Sequence, residues 1–319
     1  MSEPRAFGLH SLWGRFRVSP WRRVIELALI GLSLSLMLRS LGANLSLVDF
    51  AGMQVDFDSL LMALLITWIT VYIGTLAWAE IIRALQPEVS YRQAVMLHLL
   101  SAPAKYLPGL GWQQVSKGIQ LRREGVPVGQ TAVALLVEPG LTILTGLATA
   151  AQILVLKPPE LLRSVLPPEI LSGLGAALWA VCLALPFLLI RFLSRGMAER
   201  ADWKEPVLHL WKAELLYVIA WVTFGVALWY ISRALFPLPL AALPYCIVAL
   251  ILSFIFGLVI IVLPTGLGVR ELAMSALLQW VLPAPMAILS ALMSRIILIG
   301  AEFLGVLPIL IFQIWSRRT

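Results

Sequence analysis

Apolar residues run along this chain in long blocks, close to the roughly 20 residues that a helix needs to cross a ~30 Å hydrocarbon core. Unbroken blocks cover residues 24–43, 60–82, 129–156, 170–192, 212–234 and 286–313, and each predicts a spanning helix. Two further apolar regions are interrupted by proline and glycine. In residues 91–122 a short apolar piece meets Leu107-Pro108-Gly109-Leu110-Gly111, then an amphipathic stretch with Lys117, Arg122 and Arg123. In residues 241–282 the apolar run Tyr245–Leu263 meets Pro264-Thr265-Gly266-Leu267-Gly268, followed by Arg270, Glu271 and a short helical stretch to Trp280. Such residues break helices and open backbone geometries closed to others. At membrane depth, irregular backbone survives only where protein or a water-filled cavity satisfies its polar groups. The first region is too short to cross and return, so it predicts a re-entrant hairpin. The second follows the same plan, although its first arm is long enough to span.

The predicted fold is therefore an all-α polytopic membrane protein, with about six full spans and two re-entrant Pro-Gly hairpins. Seven or eight spans is the alternative. Residues 60–156 run span, hairpin, span, and residues 212–313 repeat this in the opposite sense. Inverted repeats around a site near the bilayer midplane are a recurring transporter plan. Residues 24–319 form one transmembrane domain. Ahead of it, residues 1–23 interleave Leu12, Trp13, Phe16 and Trp21 with Arg15, Arg17, Arg22 and Arg23, a pattern suited to the headgroup region. No small-residue cleavage site follows, which predicts an uncleaved anchor.

Composition supports the bilayer as solvent. Hydrophobic residues make up 60% and charged residues 13%, against roughly 25% charged in soluble domains. The net charge of +7 would suggest nucleic acid for a soluble protein; here it fits an excess of Lys and Arg on the cytoplasmic side. With a cytoplasmic N-terminus and two hairpins, 17 of the 24 Lys and Arg are cytoplasmic, Lys117 among them. Three (Lys157, Arg163 and Arg233) are outside, and Arg39, Lys105, Arg270 and Arg295 lie within or beside apolar sequence. Were 241–263 a full span and 268–282 a cytoplasmic re-entrant helix, Arg317 and Arg318 would fall outside. The expected arrangement is a multi-pass protein of the cell membrane. Both termini and the 191–211 loop are cytoplasmic, and 44–59 and 235–240 are outside.

Chemistry concentrates at the breaks. Lys105, Arg270, Glu271 and Arg295 sit at or near them, and a cation beside a new helix start can hold a phosphate. Glu138-Pro139-Gly140 follows the first hairpin and Glu302-Phe303-Leu304-Gly305 the second, both deep within spans. An acidic group at mid-helix costs about 2.5–3.5 kcal/mol and needs a partner or water. Two readings stand for these charges: a headgroup or proton site facing a cavity, or structural pairs locking hairpin to neighbour. Gln113 and Gln114 occupy the places of Arg270 and Glu271 in the first copy. His98 reads as a lone buried histidine, and Cys182 and Cys246 as small hydrophobes. The Gly-rich phrases follow no strand and lack the Lys-Ser/Thr of a nucleotide loop. No zinc set is visible. Asp56 and Asp58 are the one acidic pair that could hold a metal.

The run Lys105-Tyr-Leu-Pro-Gly-Leu-Gly-Trp112, the downstream Leu-Arg-Arg-Glu-Gly125, Glu138, and Leu263-Pro-Thr-Gly-Leu-Gly-Val-Arg-Glu271 together resemble the lysylphosphatidylglycerol synthase transmembrane family, over about residues 20–315. That resemblance implies movement of phospholipids, or of lipids with modified headgroups, between leaflets. It marks Pro108, Gly109, Glu138, Pro264, Gly266, Gly268, Arg270 and Glu271 as site positions. Two-part members continue into a synthase domain; this chain stops at Thr319, so only the membrane activity is expected. Together with Lys105, Gly111, Arg295 and Glu302, these residues form the candidate site, for an anionic or phosphate-bearing lipid headgroup and with no cofactor. A second copy of the chain or a lipid-modifying enzyme are the protein partners left open. Rival functions are a membrane glycosyl- or acyltransferase using Asp56 and Asp58, and an accessory subunit of a lipid or polysaccharide machine.

Overall fold

A computed structural model describes residues 54–106, 111–165, 167–194, 203–259 and 268–316, with side chains described as far as Leu307. The predicted first span, the N-terminal segment, Pro108, Gly109, Pro264 and Gly266 lie outside these residues. All regular structure among them is helical. Six helices are long and apolar enough to cross a membrane. Five coincide with predicted spans: α1 (Phe57–Leu85), α4 (Val128–Leu156), α6 (Pro168–Ser194), α7 (Lys204–Leu235) and α10 (Ala284–Ser316). The sixth contains α8 (Leu243–Val259), the first arm of the second broken region. The remaining helices are short: α2 (Tyr91–Ser101), α3 (Trp112–Arg123), α5 (Glu160–Val165) and α9 (Val269–Leu278).

Each broken region doubles back. Gln93, near the start of α2, donates from Nε2 to Glu124 just past the end of α3 at 2.7 Å. Tyr245, near the start of α8, packs edge-on against Trp280 beyond α9, with ring centroids 6.4 Å apart. At 1.5 Å per residue α3 is only ~18 Å long, short of a ~30 Å crossing. The second arms start alike. Gly111 and Gly268 are the N-caps of α3 and α9, with φ of 70° and 83°. A left-handed residue there favours glycine because a Cβ would crowd the following carbonyl.

The largest helix interface joins α1 to α7. They run antiparallel: the Asp56 N–H donates to the Ala234 carbonyl, Thr70 meets Thr223, and Glu80 meets His209. The other contacts come in matching pairs. Helix α4 packs on α7 and α8, and α10 packs on α1 and α2. A pseudo-two-fold that swaps α1 with α7, α2 with α8, α3 with α9 and α4 with α10 accounts for these pairings. A short sequence echo marks it at the ends of the central helices: Ile81-Ile82-Arg83-Ala84-Leu85 with Pro87, and Ile231-Ser232-Arg233-Ala234-Leu235 with Pro237. Helix α6 lies outside the repeat, against α4 and α7.

Packing follows the solvent. Leu61, Leu65 and Ile69, at helical spacing on α1, are exposed, as are Leu174, Val181 and Leu188 on α6. One buried core gathers Trp78, Ile81, Leu121, Leu141 and Tyr217; the other gathers Trp221, Phe224, Leu250, Ile251 and Met274. Tyr217 and Trp221 are one helical turn apart on α7. The boundary between the cores therefore crosses that helix, and there the polar residues collect.

Candidate functional site

Four cations and three carboxylates meet around this boundary as three ion pairs and one unmatched arginine. On the first half, Lys117 of α3 is completely buried and donates to Glu138 Oε1 at 2.5 Å. Its ammonium stands 4.2 Å from the centre of the Trp78 ring. Gln114 Nε2 reaches Glu138 Oε2 at 3.4 Å, and His98 Nδ1 lies 3.7 Å from Oε1. The sequence reading assigned Lys117 to the cytoplasmic surface. The structure corrects this, because Lys117 lies one turn beyond Gln114 and shares its inward face. The cytoplasmic count loses one residue and keeps its direction. His98 is likewise no isolated core histidine, since it faces Glu138.

On the second half, Glu271 has both oxygens engaged. Oε2 accepts from the Gly268 N–H at 2.8 Å, closing the cap of α9, and Oε1 accepts from Arg295 Nη1 at 2.5 Å. This pair ties α9 to α10, the structural reading of the two considered for these charges. Gln114 and Glu271 stand three residues past their glycine caps, and each contacts a residue 24 positions later, Glu138 and Arg295 respectively. Glu138 is thus in register with Arg295. The sequence reading matched Glu138 to Glu302, but Glu302 lies two turns further along its helix.

Glu302 joins the halves. Lys105, in the 3-10 turn Ala102–Tyr106 after α2, pairs with Glu302 Oε1, and the Tyr106 hydroxyl donates to Oε2 at 2.8 Å. The Tyr106 ring also stacks on Phe303. Lys105 and Glu302 line a cavity of about 160 Å³ between the repeats. Its polar wall includes Thr67, Thr70, His98, Gln113, Thr142 and Tyr217, and its aromatic wall is Trp221, Phe224 and Phe254. That volume is below the ~300–1,000 Å³ of sites enclosing a drug-sized ligand. It fits a small polar group.

Arg270 lies against the aromatic wall. Its guanidinium lies 5.1 Å from the Phe254 ring centre and 5.7 Å from that of Phe224. It is 7% exposed, and Nη2 has no hydrogen-bond partner among the described residues. Gln113, its counterpart two residues past the other glycine cap, lines the cavity itself.

The acidic pair near the start of α1 is placed apart from this site. Asp56 is the N-cap of α1, accepting from the Ser59 hydroxyl at 2.6 Å and from the backbone N–H groups of Asp58 and Ser59. These hydrogen bonds, the Ser59 hydroxyl first, hold its carboxyl below the usual carboxylate range. No group of three metal-ligating side chains occurs among the described residues.

No curated protein matches the chain. Residues 23–302 match the family model described as the lysylphosphatidylglycerol synthase TM region. The match takes in the first repeat, the second as far as Glu302, and both charged residues that line the cavity, Lys105 and Glu302. The chain belongs to the lysylphosphatidylglycerol synthase transmembrane family.

Proposed function

We propose that the protein moves phospholipids, or lipids with modified headgroups, across the cell membrane, with the headgroup passing between the two repeats. The observation that carries this reading is the cavity at the repeat boundary. It is small, polar on one wall, and spanned by the Lys105–Glu302 pair that links the first hairpin to the last helix. Ion pairs inside a membrane are costly and concentrate on pathways for polar cargo. The two broken segments act as re-entrant hairpins, entering and leaving on one side, which puts their glycine caps toward the middle of the bilayer. Lys105, beside Glu302 on the cavity wall, and Arg270 attract the headgroup phosphate. No covalent chemistry and no cofactor enter this reading. Asp56 caps α1 and does not line this cavity.

Reconstitution tests it. Purified protein in vesicles with a trace of fluorescent phospholipid should speed transfer of the label between leaflets, read as a larger fraction quenched by an impermeant reductant. Quenching equal to that of protein-free vesicles, for every headgroup tried, would overturn the proposal.

A further inference from the structure

Resting on the transport reading, we infer that the headgroup this site accepts is a singly charged anion, a phosphodiester with no cationic group of its own. The inference comes from matching donors to acceptors. Each buried carboxylate of the site already has its cation: Glu138 has Lys117, Glu302 has Lys105, and Glu271 has Arg295. Their second oxygens are engaged as well, by Gln114, the Tyr106 hydroxyl and the Gly268 N–H. A cationic headgroup, such as an aminoacylated one, finds on the cavity wall only Glu302, already paired with Lys105.

The unmatched charge has the opposite sign. Arg270 is 7% exposed, its Nη2 lacks a hydrogen-bond partner among the described residues, and its neighbour Glu271 is committed elsewhere. The rings it lies against, Phe224 and Phe254, also wall the cavity. With His98 neutral, the cluster of four cations and three carboxylates carries one excess positive charge. A buried charge without a partner is unfavourable, and guanidinium binds phosphate oxygens in a planar, charge-assisted geometry. One phosphodiester supplies one negative charge and the missing acceptors. A cationic lipid would leave two uncompensated charges.

The experiment compares vesicles carrying trace fluorescent phosphatidylglycerol, phosphatidylcholine or lysylphosphatidylglycerol, whose headgroups have net charges of −1, 0 and +1. We expect phosphatidylglycerol to cross at least about tenfold faster than the other two, the discrimination that one charged hydrogen bond confers. Arg270→Gln should abolish the preference, and Arg270→Lys should retain part of it. Equal rates for all three lipids overturn the inference and leave the transport reading standing. A second readout is independent of transport: short-chain phosphatidylglycerol, added to the protein in detergent, should raise its melting temperature more than short-chain phosphatidylcholine does. Selective stabilisation without lipid movement would reject transport and keep the anion site. Equal stabilisation by both lipids in protein that moves none would overturn both.

Discussion

Lys117 and Lys105 are both lysines on short hairpin segments, yet their surroundings predict different consequences of mutation. Lys117 has no exposure and holds Glu138 against the Trp78 ring. Lys117→Met leaves a buried carboxylate without its cation, and the expected cost is about 3–5 kcal/mol. Adding Glu138→Gln should recover most of that loss, a coupling readable from thermal unfolding of both single variants and the double variant. Independent, additive losses would show that the pair is not a unit. Lys105 is a quarter exposed and opens on the cavity. Lys105→Gln keeps an amide donor beside buried Glu302, so it should lower melting less than Lys117→Met does and slow lipid movement by about tenfold or more, the effect of one charge-assisted hydrogen bond. Normal transport in that variant would remove Lys105 from the pathway. Both lysines are visible in the sequence as charges in or near apolar stretches. Which one is buried depends on the face that α3 turns inward, and the two glutamines beside Lys117 pointed to that face.

At the scale of elements, the hairpin arms depend on backbone that other residues resist. Gly111 has φ 70° and open space where a Cβ would stand. The cost of Gly111→Ala is thus backbone strain alone, about 1–2 kcal/mol, and Gly111→Asn should cost less because asparagine tolerates the left-handed region. Equal losses for both variants would point to a contact instead of a conformation. Gly225 is the opposite case. It sits where α7 crosses α8, and a Cβ there would stand 2.6 Å from the Ile247 Cα. Backbone cannot yield as a side-chain tip can, so Gly225→Ala should destabilise by about 1–3 kcal/mol or more. An unchanged melting temperature in detergent would show that the two helices are free to move apart. The second prediction concerns close helix packing, which in membranes relies on small residues.

For the whole molecule, the proposed re-entrant hairpins and the antiparallel α1–α7 pair predict that each repeat crosses the bilayer twice, in opposite orientations. Single cysteines placed in a variant lacking Cys182 and Cys246 should be labelled from outside at residues 235–240 and from inside at residues 203–204. A cysteine in place of Arg317 or Arg318 that reacts from outside would mean that the second broken region crosses fully, and would remove the inverted arrangement.

The sequence by itself determined that this chain lives in a membrane, where most of its spans lie, and that its two halves share a break. Those properties are local: a block of apolar side chains has the same cost in water wherever it later packs, and proline and glycine alter only their own stretch of backbone. The resemblance to the family was legible for the same reason, in short runs of consecutive residues. Tertiary structure decided the partners. Lys105 and Glu302 are 197 positions apart, Glu80 and His209 are 129 apart, and the match of Glu138 with Arg295 instead of Glu302 follows from how far α4 and α10 extend past their hairpins. Charges of the right kind were evident along the chain, but whether each is matched depends on which helix faces meet across the repeat boundary. Packing alone fixes that, so only the folded molecule shows that, of the four cations around the repeat boundary, Arg270 is the one without a carboxylate partner among the described residues.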